Sequence, residues 1–112
     1  MKAYRTERKF QATPERIAQA IDSITSAEKI MTVSWSGDRK RVAILKDITP
    51  IYDRVFWGIS LIITLYEDGT LKAECAETLW RWWPGIPKRV IEFTNGFIQR
   101  IEDRLQTGKG LK

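Results

Sequence analysis

Lys46, Glu77 and Arg81 are charged residues at positions where a regular strand would bury them, and they are the first candidates for chemistry in this chain. Between Val55 and Trp83 the sequence reads as two strands joined by a turn at Glu67-Asp68-Gly69-Thr70. The odd positions of the first arm are Val55, Trp57, Ile59, Leu61, Ile63 and Leu65, and those of the second begin Leu71, Ala73 and Cys75. Successive residues of a strand point to opposite faces, so the odd row is the apolar, core-facing one. Glu77 and Arg81 continue that row. Lys46 takes the matching place in the preceding strand, where Val42, Ile44 and Ile48 make the apolar row. A charge taken out of water needs a partner. The three therefore read as a polar cluster inside a ligand groove, or more plainly as a satisfied ion pair or a β-bulge that flips the parity.

Other chemistry has little to work with. The chain has no histidine, which removes the commonest metal ligand and general base. Its single cysteine, Cys75, cannot form an internal disulfide and reads as a small buried hydrophobe with no base to activate it. No Gly-rich turn precedes a helix, so a phosphate-binding loop is missing. These features predict a non-enzymatic domain without cofactor or metal. The lone cysteine and the charged, unhydrophobic start Met1 to Lys9 fit a cytoplasmic chain, and no apolar run reaches the roughly 20 residues of a membrane helix.

Two surfaces stand out. Trp80-Arg81-Trp82-Trp83-Pro84 is the most unusual run in the chain, and Trp80 and Trp82 share the even, outer parity with Phe56 and Ile62. A contiguous apolar patch of that kind marks an interaction site. Phe56, Ile62, Trp80 and Trp82 are therefore expected to meet a protein partner, most simply a twofold copy of the same chain. The formal charge of +5, from 19 basic and 14 acidic residues, raises the alternative of nucleic acid. Tryptophans could stack on bases while Arg39, Lys40 and Arg41 hold phosphates.

The elements that must position these residues follow from period and punctuation. Ala3 to Gln11 reads as a strand with Tyr4, Thr6 and Phe10 on one side and Arg8 breaking the row. Thr13-Pro14-Glu15 starts a helix, with threonine as N-cap, proline at N1 and an acid in the first turn. It buries Ile17, Ala20, Ile21 and Ile24 and ends near Ser26. Strands follow at Lys29 to Ser36 and Arg41 to Ile48, turned by Gly37-Asp38, then the long hairpin. A final helix from Pro87 to about Gln106 carries Val90, Ile91, Phe93, Thr94, Phe97, Ile98, Ile101 and Leu105 on one stripe. Asn95-Gly96 inside it suggests a kink or a close backbone approach.

The order β-α-β-β-β-β-α predicts an α+β fold: an antiparallel sheet of about five strands curled around a long C-terminal helix, with both helices on one side. Residues 1–107 form one domain and residues 108–112 a flexible basic tail. This order, the helix start Thr13-Pro14-Glu15-Arg16-Ile17, and Ile86-Pro87 before a helix closing Ile98-Gln99-Arg100-Ile101-Glu102-Asp103-Arg104-Leu105 resemble the START and polyketide-cyclase superfamily with its helix-grip fold. In element order the chain is also similar to one half of the TATA-binding-protein fold. The first resemblance implies an apolar ligand held between sheet and terminal helix. The second implies nucleic acid on the open sheet face. No functional residue of either family is matched by a motif here. The function expected is a small binding domain for an apolar ligand or a protein partner, with a nucleic-acid module as the alternative.

Overall fold

Thirteen residues of helix and four inter-strand steps of sheet cover nearly the same distance, and the topology uses that match. The computed structural model describes residues 3–28, 31–47, 58–77 and 88–110, without the side chains of Asp47, Glu77 and residues 107–110. Its elements are β1 (Tyr4–Lys9), α1 (Pro14–Ser26), β2 (Met31–Trp35), β3 (Arg41–Asp47), β4 (Gly58–Leu65), β5 (Thr70–Glu77) and α2 (Lys88–Gly110). All neighbouring strands are antiparallel, in the order β1-β5-β4-β3-β2. The connection through α1 thus carries the chain from one edge of the sheet to the other. At about 1.5 Å per residue its 13 residues span about 20 Å, and four strand spacings of about 4.8 Å come to about 19 Å.

The fold is α+β, a five-stranded antiparallel sheet with a C-terminal helix, as the element order predicts. Thr13 caps α1, its Oγ1 accepting from the Arg16 N–H at 3.3 Å, and Pro14 follows at N1. Ile17, Ala20, Ile21 and Ile24 are buried, joined by Ala18 and Thr25. On the sheet, Val42 and Ile44 of β3, Ile59, Leu61, Ile63 and Leu65 of β4, and Leu71, Ala73 and Cys75 of β5 make the opposing layer. The odd rows pair as expected, Ile63 with Ala73 and Leu61 with Cys75. From α2, Val90, Phe97, Ile98, Ile101 and Leu105 complete one cluster with both. Thr94 is fully buried among them and spends its hydroxyl on the Val90 carbonyl at 2.8 Å.

Several details depart from the sequence reading. The α2 backbone runs to Gly110 rather than stopping near Gln106. Glycine there lowers helix propensity by about 1 kcal/mol but does not forbid helical geometry. Gly96 marks no close approach, since a Cβ added there meets nothing within 4 Å, and α2 continues unbroken through it. The β2–β3 turn falls at Gly37-Asp38 as expected, and the residue at positive φ in it is Arg39, at 58°. The hairpin glycine behaves as expected: Gly69 has φ 91° and its carbonyl accepts from the Phe10 N–H at 2.9 Å. The outer arms of that hairpin, with Phe56, Trp80, Arg81 and Trp82, lie outside the described residues.

Candidate functional site

Between the β2–β3 side of the sheet and the first half of α2 lies an open groove of about 370 Å³. Its helix wall follows from spacing: Phe93, Gly96, Phe97 and Arg100 stand at i, i+3, i+4 and i+7 on one stripe, with Glu92 beside them. Its sheet wall is Met31 and Lys46, which are register partners across β2 and β3. Glycine at 96 leaves the middle of the helix wall without a side chain. The Phe93 and Phe97 rings are tilted at 47° with centroids 6.1 Å apart, forming an aromatic base.

Lys46 is the polar residue of this groove that parity singled out. It is half-buried, on the row that continues Val42 and Ile44, and its Nζ lies 5.3 Å from the Phe93 ring centroid. No described carboxylate forms an ion pair with it. Nearby, Arg100 reaches Glu28 at 3.5 Å and Glu92 reaches Lys88 at 3.7 Å, both in exposed or partly exposed pairs. Lys46 places a cation over this apolar base, while Glu92 and the Glu28-paired Arg100 stand on the rim. The register also puts Glu77 in the same cross-sheet row, through Lys46 with Ile59 and Ile59 with Glu77. Its side chain, and all of Arg81, lie outside the described residues. Arg8, which broke the inward row of β1, sits at the sheet edge and pairs with Glu102 of α2 at 2.8 Å.

The outer face of the sheet holds a larger concavity of about 440 Å³, walled by Arg5, Glu7, Arg41, Lys72 and Glu74 around Ile62. Over the described residues this face carries mostly polar side chains around Ile62. Arg5 and Glu74 are paired at 3.1 Å, directly opposite each other on β1 and β5. Ile62 is half-buried among these chains. Its expected companions Phe56, Trp80 and Trp82 fall outside the described residues.

The basic triplet does not act as one surface. Arg39 pairs with Asp22 at 2.6 Å and lies over the Trp35 ring at 4.4 Å, while the Trp35 indole N–H donates to the same Asp22 at 3.0 Å. Lys40 is paired with Glu67, and its amine also lies 4.0 Å from Glu15. The bond to Glu67 pushes the Lys40 pKa up. Arg41 alone reaches the outer sheet groove. Two turn aspartates are likewise engaged: Asp38 is held below its ordinary pKa by the Ser36 hydroxyl, and Asp68 by the Thr70 backbone N–H.

Sequence reasoning found Lys46 and missed Phe93, Gly96 and Arg100 as its neighbours. The available signal was the i, i+3, i+4, i+7 spacing around the helical glycine. Among the described residues no helix is long and apolar enough to cross a membrane, and no group of at least three His, Cys, Asp or Glu residues is placed to hold a metal ion.

No protein-family model matches this chain, and no curated protein matches it. Among solved structures the chain is similar to a TBP-like protein from Parabacteroides distasonis, with a TM-score of 0.47 and 14% sequence identity. The match covers 67% of this chain and 56% of that one, so the chain spans little more than half the length of that protein. The narrower START resemblance gains no support from this likeness.

Proposed function

We propose that this chain is a non-enzymatic binding domain that holds a small amphipathic anion, an acid group on an apolar body, in the groove between sheet and C-terminal helix. The observation that carries this reading is Lys46, half-buried over Phe93 at the mouth of a groove of about 370 Å³. That volume falls within the range of about 300 to 1,000 Å³ that small-molecule sites occupy. The apolar body of the ligand would lie on Phe93, Phe97 and Met31, and its acid group would meet Lys46, with Arg100 on the rim. A half-buried ammonium beside a ring gains from the ring quadrupole, and a carboxylate would add the counter-charge the described residues do not supply. The sequence resemblance to helix-grip proteins is in keeping with a ligand at this level of the fold. Nucleic acid receives less support, because Arg39 and Lys40 are already engaged by Asp22 and Glu67.

The test is thermal denaturation against a series of straight-chain and aromatic carboxylates and their uncharged alcohols. Acids are expected to raise the melting temperature with saturating dependence, alcohols much less, and Lys46→Met should remove the difference. An equal response to acids and alcohols, or none to either, overturns the reading.

A further inference from the structure

The two edges of the sheet are built very differently. A free strand edge presents unpaired N–H and C=O groups, and soluble proteins usually guard it with charge. The β1 edge is guarded by Arg5, Glu7, Arg8 and Lys9. The β2 edge, Met31-Thr32-Val33-Ser34-Trp35, carries no charge, no proline and no glycine.

Which backbone groups face outward at β2 follows from its pairing. The Ser36 N–H donates to the Arg41 carbonyl at 2.8 Å, which makes that pair a hydrogen-bonded one, and such pairs alternate along an antiparallel ladder. Thr32 and Ser34 therefore bond to Leu45 and Ala43 of β3, while the backbone groups of Val33 and Trp35 and the carbonyl of Met31 point to the edge that no other described strand pairs. The Met31 N–H is directed to the Glu28 carbonyl at 3.3 Å. The side chains of Met31, Val33 and Trp35 are only half-buried against the core.

We infer that β2 is a self-association edge, pairing antiparallel with β2 of a second copy about a twofold axis at Val33. The outward groups then meet: Val33 exchanges both backbone bonds with its own copy, and the Trp35 N–H donates to the copy's Met31 carbonyl. On the helix side Met31 stands opposite Trp35, a favourable sulfur–aromatic pair. On the outer side Thr32 stands opposite Ser34, a hydroxyl pair of the kind that stabilises adjacent strands. No like charges oppose each other in this register, whereas β1 pairing with itself would crowd arginines, lysine and glutamate along one seam. A second copy fits this edge better than a charged partner strand because every position of β2 is neutral. The sheet would run continuously through both copies with all helices on one side. This inference does not depend on what the groove binds, since it rests on the pairing pattern and the neutral side chains of β2.

Sedimentation equilibrium over a wide concentration range tests it. The wild type is expected to dimerise. Thr32→Lys combined with Ser34→Lys places lysine opposite lysine twice across the axis and should weaken self-association by about tenfold or more. Thr32→Glu combined with Ser34→Lys places opposite charges in the same contacts and should retain the dimer. Val33→Pro removes an N–H that β3 does not use, so it should yield a folded monomer by circular dichroism. A wild type that stays monomeric throughout, or a dimer equally strong in the double-lysine variant, overturns the inference.

Discussion

A Cβ placed on Gly69 would lie 2.2 Å from the carbonyl oxygen of Phe10 and 3.1 Å from that of Ala12. The central hairpin and the end of β1 are joined by this contact, because the Gly69 carbonyl also accepts from the Phe10 N–H. Gly69→Ala meets two penalties, the positive φ of 91° and a clash with backbone that cannot rotate away. The first alone costs about 1–2 kcal/mol, so Gly69→Ala should destabilise by more than about 2 kcal/mol in urea unfolding.

Asp22 accepts from both the Trp35 indole and the Arg39 guanidinium, tying α1 to the β2–β3 turn. Arg39 reaches that position from left-handed backbone, at a cost of about 1–2 kcal/mol. Its exposed ion pair returns about 0–1 kcal/mol and its ring contact about 0.5–1 kcal/mol. Gains and cost nearly cancel. Arg39→Gly should therefore be within about 1 kcal/mol of wild type, while Arg39→Ala keeps the strain without the contacts and should lose about 0.5–2 kcal/mol. Equal losses in both variants would show that the backbone strain is negligible.

The residues of this turn show where the sequence could be read and where it could not. Period two placed Ile59, Leu61, Ile63 and Leu65 on the core face, and period 3.6 placed Ile17, Ile21, Ile24 and Phe97 there, because burial on one side is all those patterns encode. Thr13-Pro14 and Asp68-Gly69 were legible because their chemistry is local. Arg39 was not: Gly37-Asp38 is where a turn is legible, whereas the left-handed backbone falls on Arg39, whose guanidinium meets Asp22 of α1, 17 residues away. Lys46 was legible by parity. Its groove was not, since a helical stripe says which face is buried and not which sheet row lies opposite.

Acid should loosen both hairpin turns. The Ser36 hydroxyl, and after it the Lys40 N–H, hold Asp38 below its ordinary pKa of 3.8, and the Thr70 N–H and hydroxyl do the same for Asp68. A carboxyl whose pKa is lowered on folding binds protons more readily when unfolded, so its contribution is complete above pH 3.8 and disappears as pH falls from there through the folded value. Asp68→Asn keeps an acceptor for the Thr70 N–H and removes the titration. Its melting temperature should depend less on pH below 3.8 than that of the wild type, while the two profiles run parallel from pH 5 to 8. At the other end, Lys40 is raised above its ordinary 10.5 by Glu67, so its contribution is present below 10.5 and lost as pH rises through the folded value.

Lys46 and Gly96 both look like imperfections in a packed layer, and that makes them useful together. Lys46 is flanked in register by Met31 and Ile59, so an apolar residue there would extend the row on both sides. Gly96 has open space around its missing Cβ, and replacing a helical glycine by alanine removes about 1 kcal/mol of backbone entropy cost. Lys46→Leu and Gly96→Ala should each stabilise the domain by about 0.5–1 kcal/mol, raising the melting temperature by several degrees. Sites kept for binding commonly trade stability for function. The two variants should then part on ligand response. Gly96→Ala adds a single methyl to an open groove and should keep the stabilisation by carboxylates, whereas Lys46→Leu should lose it. If Lys46→Leu is instead less stable than wild type, the lysine is held by contacts that hydrocarbon cannot replace, and its place in the groove is structural.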